Sequence, residues 1–152
     1  MQSMKLRPGH SPRQSQRQGA AIVEMAVCLP LFLLLLLGII ESGRALMVSQ
    51  LLTSAARQGC REAIMDGATS YAVTTDISDR LINTIGCSTA DIQINITVTS
   101  LSTGTELSDL SQADQRDLIE IDVAVPFSAV SYTPGKFLSN STLRGQCSMR
   151  KQ

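Results

Sequence analysis

Residues 19–40, GAAIVEMAVCLPLFLLLLLGII, constrain this chain more than any other stretch. The 21 residues from 20 to 40 rise about 31 Å as an α-helix at ~1.5 Å per residue, which is the thickness of a bilayer's hydrocarbon layer. Besides Cys28, the only ionisable side chain in the run is Glu24. A buried core helix is the competing reading. It fails on supply, because a domain cut from 152 residues has little interior in which to hide LFLLLLL, residues 31–37, on every helical face. The run is therefore read as a transmembrane helix.

Flanking charge sets the expected orientation. Lys5, Arg7, Arg13 and Arg17 precede the span with no acid among them, whereas Glu41 and Arg44 follow it. The basic flank stays cytoplasmic in single-pass proteins, so the N-terminus is expected inside and residues 41–152 outside. A cleaved secretory signal has a shorter apolar core, about 7–15 residues, and a small-x-small exit. Here the run is longer, and the exits near Glu41 to Ala45 put a charge in the cleavage window. Signal-peptidase release, with a new N-terminus near residue 45, remains a minority alternative. A lipoprotein signal needs its cysteine after the apolar region, and Cys28 lies near the start.

A carboxylate within an apolar span costs about 2.5 kcal/mol or more near the bilayer centre and less toward the interface, so Glu24 needs a reason to be there. Snorkelling to the interface is one; function is the other. The residues Arg17-Gln18-Gly19, then Ala20-Ala21-Ile22-Val23-Glu24, then the apolar run with Pro30, then Gly38-Ile39-Ile40-Glu41-Ser42-Gly43-Arg44-Ala45, together resemble the TadE-like family of minor pilins from the tight adherence (Tad/Flp) system. The match continues more weakly through Ser54 to Ala63 and at Val123-Ala124-Val125-Pro126-Phe127, and fades between. The family often has an aromatic residue after the glutamate, where this chain has Met25.

A basic leader ending in glycine, with glutamate fifth after it, is similar to the processing site of type IV-type prepilins. The resemblance implies cleavage between Gly19 and Ala20 by a prepilin peptidase, an assembly role for Glu24, and residence in the bacterial inner membrane or the extracellular pilus. It implies other pilins or pseudopilins and the Tad inner-membrane machinery as partners, beside the lipid bilayer. The fold it implies is α+β and pilin-like, a long N-terminal transmembrane helix packed on a small antiparallel sheet. Function would then be pilus assembly, and the alternative is an uncleaved single-pass membrane protein with an exported binding domain.

The expected organisation is a basic cytoplasmic leader (1–19), a transmembrane helix (20–40), its exported continuation (41–67) and a small exported α+β region (68–152). The leader, polar and holding Pro8 and Pro12, is expected to be disordered, with His10 solvated there. It holds four of the 13 basic residues, leaving nine against 13 acids in the rest. With aromatics at 3%, neither a basic stripe nor a stacking surface exists for nucleic acid, and none is expected as a partner.

Past Ile40, Val48, Leu51, Leu52, Ala55, Ala56, Gly59, Ala63 and Ile64 recur at three- and four-residue steps, so the helix continues, with Gly67 as its stop. Ala55, Gly59 and Ala63 form a small-residue edge that either faces a core or admits a close neighbour. Residues 75–86 predict a second helix capped by Thr75 or Asp76, with Ile77, Leu81 and Ile85 on one face and Gly86 ending it. Strict alternation of Ile92, Ile94, Ile96 and Val98, and of Ile119, Ile121, Val123 and Val125, predicts two strands with one buried face. A third strand is expected over residues 142–149 with Leu143, Cys147 and Met149 inward, after a loop containing Tyr132, Pro134, Gly135 and Phe137. Strand order is not readable.

The link at residues 100–117 is long and acidic and is expected to be a flexible tip. Its acids, Glu106, Asp109, Asp114 and Asp117, lack the alternating spacing and central glycine of a calcium loop, so no metal or other cofactor is expected. No nucleophile elbow, phosphate loop, CxxC or HExxH is present, and the single histidine is in the leader, so the chain is not read as an enzyme. Cys28 lies about 48 Å of helix from Cys60, beyond bridging range. Among the exported thiols Cys60 and Cys87 are the candidate disulfide, worth roughly 2–4 kcal/mol, with Cys147 left free or intermolecular.

Overall fold

The computed structural model describes residues 12–102, 104–107, 109–131 and 141–151, with the backbone course alone for 12–18. His10 and the loop holding Tyr132, Pro134, Gly135 and Phe137 lie outside these residues, as does the first part of the leader. Residues 12–18 are helical, not disordered: helix α1 runs from Pro12 to Ala63, 52 residues without interruption. Proline is suited to a helix's first position, where its missing N–H has no helical partner in any case. Two compact units divide the chain, Met1–Ile39 and Ile40–Gln152.

In the first unit, the described residues from Gly19 onward are almost all exposed, including Ile22, Met25, Leu31, Phe32 and Leu34. No window of the described chain outside α1 is long and apolar enough to cross a membrane, and the qualifying window of α1 buries none of its residues inside the protein.

The second unit is α+β. Its part of α1 turns Val48, Leu52, Ala55, Ala56, Cys60 and Ala63 inward. Helix α2 (Ser70–Ile85) adds Val73, Ile77, Leu81 and Ile85. Strands β1 (Gln93–Thr99), β2 (Glu106–Leu107), β3 (Leu118–Pro126) and β4 (Thr142–Arg150) form one antiparallel sheet in the order β2-β1-β3-β4. The central strand β3 registers Ile121 against Ile96 on one side and Cys147 on the other. Its inward residues Ile119, Ile121, Val123 and Val125 are wholly buried.

Two glycines set how closely these layers meet. A Cβ on Gly145 of β4 would overlap the backbone of Leu52 and Thr53, so strand and helix touch backbone to backbone there. A Cβ on Gly59 would overlap the Ile77 side chain, so the small-residue edge of α1 is used to admit α2 within the core.

Helix α1 ends at Ala63, four residues before the expected stop, and Gly67 supplies a left-handed residue (φ 82°) in the turn that follows. Helix α2 begins five residues earlier than expected. Its cap is Thr69, whose hydroxyl accepts the Ala72 N–H at 3.3 Å. Thr75, expected as a cap, instead donates to the Tyr71 carbonyl (2.9 Å), as Thr74 does to that of Ser70 (2.7 Å), and Asp76, the other expected cap, pairs with Arg80 inside the helix. Gly86, left-handed at φ 76°, ends the helix as expected.

The 100–117 link is built, not a flexible tip. β2 adds a short edge strand, Leu110 is buried in a 3-10 turn, and Asp117 is 3% exposed. The Asp117 carboxylate accepts the N–H of Leu101 (3.0 Å) and of Asp114 (2.8 Å), while Lys151 Nζ donates to the Ala113 carbonyl (2.8 Å). One acid and one lysine thus tie three segments that are distant in sequence.

Candidate processing and assembly segment

Gly19 and Ala20 lie within α1 and are exposed, with no atom within 4 Å of where a Gly19 Cβ would stand. The peptide bond between them is therefore in regular helix. Glycine costs about 1 kcal/mol relative to alanine inside a helix, so Gly19 weakens the helix locally at this bond. Glu24 is exposed on the same helix, one turn beyond Ala20, amid exposed Ile22, Val23 and Met25. Gly19, Ala20 and Glu24 are thus brought together by helix geometry alone, and among the described residues no side chain from another element encloses them.

Downstream, the second unit holds α1 by its polar groups as well as its apolar ones. Glu41, expected only as a flanking charge, is 4% exposed. Arg44 donates from Nε to the Val130 carbonyl at 3.2 Å, next to the 3-10 turn at Phe127–Ala129 that follows β3. Sequence reading had no means to see either contact. The available signal was an acid and an arginine placed three residues apart at the end of an apolar run, which reads equally well as a solvated boundary.

Arg80 of α2 bonds Asp76 on its own helix and Glu62 of α1 at 3.3 Å. Burial and the nearby Asp76 raise the Glu62 carboxyl, and the bond to Asp76 raises the Arg80 guanidinium. A shallow groove between α1 and α2 is lined by Leu51, Ser54, Gln58, Arg80 and Thr84. It holds neither a nucleophile–base pair nor a histidine. Among the described residues no group of three or more His, Cys, Asp or Glu side chains is placed to hold a metal.

All four cysteines are free thiols. Cys28 is exposed on the apolar run, and Cys60 and Cys87 are buried in the second unit. Cys60, expected to face Cys87, has Cys147 beside it: its Sγ donates to the Cys147 carbonyl at 3.2 Å. Burial, followed by the neighbouring Cys147 thiol, pushes the Cys60 thiol up to about 12. Burial also raises Cys87.

Neither the curated proteins nor the solved structures contain a match to the chain. A family model does: that of the TadE-like proteins matches residues 19–61, from the glycine before Ala20 through the apolar run and into the buried half of α1. Over those residues the chain is similar to the TadE-like family, the family that the glycine, the fifth-place glutamate and the apolar run resemble.

Proposed function

We propose that this chain is a minor pilin or pseudopilin of a Tad-type pilus, cut between Gly19 and Ala20 by a prepilin peptidase and used in pilus assembly. The observation that carries the reading is the pairing of two properties in one helix. The stretch beginning at Gly19 is apolar and uncovered by its own protein, and the same helix continues into a fully packed core. A helix of this kind can be held in a bilayer and later against other apolar helices while its folded unit stays intact. A basic leader before the span supports a cytoplasmic N-terminus in the inner membrane and an exported C-terminal unit.

Cutting would place a new ammonium at Ala20, about 6 Å along the helix from Glu24. The first turn of a helix favours negative charge, and a carboxylate in an apolar setting pairs well with a neighbouring subunit's N-terminal ammonium. Gly19 would serve the peptidase and Glu24 the assembly.

The N-terminal residue of the membrane-extracted protein tests this. Ala20 is expected; Met1 would support an uncut single-pass protein with an exported binding domain, and a start near Ala45 a secreted one. The observation on the side of the uncut reading is that α1 is unbroken across the Gly19–Ala20 bond. A bulky Gly19 substitution should leave the longer chain, whereas Glu24→Ala should be trimmed to Ala20 yet fail in assembly. A Gly19 variant still trimmed at Ala20, or Glu24→Ala with normal pilus output, overturns the assignment. A reporter active only outside the cytoplasm, fused after Gln152, should be active.

A further inference from the structure

Cys60 lies on the inward face of α1, over the rung of the sheet at which Ile121 of β3 is registered with Cys147 of β4. Its thiol donates to the Cys147 carbonyl at 3.2 Å, across 87 positions of sequence, and lies beside the Cys147 thiol. Two positions before Cys147, Gly145 lets β4 approach the α1 backbone at Leu52 and Thr53. Helix and strand are therefore held at a short separation near the two cysteines. Cys147 is partly accessible, whereas Cys60 is completely buried.

We propose that Cys60 and Cys147 form an intramolecular disulfide that fastens α1 to β4 when the second unit is in an oxidising, extracytoplasmic compartment. Its occurrence in the cell rests on the exported orientation proposed above. The oxidant is a protein disulfide acting by thiol–disulfide exchange. The Cys147 thiolate attacks one sulfur of that disulfide, forming a mixed disulfide and releasing the oxidant's other sulfur as a thiol. The Cys60 thiolate then attacks the Cys147 sulfur, closing the Cys60–Cys147 bond and releasing the oxidant's second thiol. Two protons leave the cysteines, and the two electrons reduce the oxidant to a dithiol. Because burial keeps Cys60 protonated in the packed state, the second attack belongs to folding or to transient opening. The closed bond is then shielded from reductants by the same packing.

Pairing with Cys147 leaves Cys87 as the remaining buried thiol of the unit. The bond would join the helix that carries the membrane-length run to the far edge of the sheet, so a pull on that helix would be borne covalently by the strand.

The test uses the full chain, extracted in detergent, unfolded under reducing conditions and refolded in a glutathione redox buffer. After alkylation of the remaining thiols it is digested and mapped without reductant. A peptide pair joined through Cys60 and Cys147, lost on reduction, is expected, with Cys28 and Cys87 alkylated. A Cys60–Cys87 link, or alkylation of Cys60 and Cys147 after refolding, would overturn the pairing. Cys147→Ser should abolish the link and leave an unpaired Cys60, and Cys87→Ala should retain it in full; loss of the link in Cys87→Ala overturns the assignment. The same mapping on cells quenched with acid separates the two proposals. A chain that links correctly in buffer but is reduced in cells overturns the exported placement and the bond's occurrence there, while a failure in buffer overturns the pairing whatever the topology.

Discussion

The two halves of α1 both carry large apolar residues, and those residues have opposite fates. Before Ile39, Phe32, Leu33 and Leu34 are 57%, 50% and 53% exposed; beyond Ile40, Val48 and Leu52 are 0% exposed. What differs is the arrangement of the apolar residues. In the first half they occupy every face, which no sheet on one side could cover. In the second they recur at three- and four-residue steps, leaving Arg57, Gln58 and Arg61 to solvent, and one sheet with one short helix covers them. A helix apolar on all sides needs a surrounding medium, and a helix apolar on one side needs a partner layer.

The largest effects should separate the halves outright. Leu52→Ala removes a wholly buried side chain and should lower the stability of the second unit by about 2–5 kcal/mol. Leu34→Ala, at the same residue type, should leave it unchanged. Alkylation of the buried thiol Cys87 in increasing urea, on detergent-extracted protein, measures both. Equal shifts in the two variants would show that the halves are not distinct in the way described.

The converse comparison is insertion. Leu34→Lys places a charge near the middle of the span and should cost about 2.5–3.5 kcal/mol of membrane insertion, read as the fraction resisting alkaline extraction. The urea midpoint of the second unit should not move. A Leu34→Lys protein that inserts fully would count against this segment as the membrane-crossing element.

A smaller effect is expected where the layers meet backbone to backbone. Gly145→Ala adds only a methyl group, but the atoms it meets are the main chain of Leu52 and Thr53, which cannot rotate away. Overpacking of this kind costs about 1–3 kcal/mol. Gly38→Ala, where no atom lies within 4 Å, should be neutral or slightly stabilising. A Gly145→Ala protein as stable as the parent would mean that β4 and α1 have room the structure denies them.

Legibility in the sequence followed the same division. The apolar run, the continuation of α1, the buried face of α2 and strands β1, β3 and β4 were all readable because each has a simple period that burial on one side enforces. The start of α2 was misread because Thr69, Thr75 and Asp76 are all plausible caps, and only the fold shows which side chain faces a free N–H. Cys147 as the neighbour of Cys60 was unreadable because it depends on strand order: β4 lies beside β3, and the sequence contains nothing that states it. For Gly19, Ala20 and Glu24 the sequence carried nearly everything, since helical spacing is the whole of their geometry.

The 100–117 link was misread for a reason that yields the last prediction. Its acids look like solvated loop charges, yet Asp117 is an organising group that accepts two main-chain N–H bonds. The Leu101 N–H, then the Asp114 N–H, hold its carboxyl below the ordinary carboxylate value, with Lys151 adding in the same direction. Asp109, bonded to the Ser111 N–H and the Ser70 hydroxyl at the start of α2, is lowered likewise. A carboxyl whose folded value is depressed binds its proton more weakly when folded, so its contribution is complete above the unfolded value, about 4, and is lost as pH falls through the folded value. The second unit should therefore weaken on acidification below about pH 4. Asp117→Asn should lower the urea midpoint at pH 7 and show a shallower decline over the acid range, because the group that would take up the proton is gone. Adding Asp109→Asn should flatten that limb further. Leu34→Ala should leave the parent's acid limb untouched, since neither acid belongs to that half of α1. An Asp117→Asn protein with the parent's midpoint at pH 7 and the parent's acid limb would return the link to the flexible tip that its composition suggests.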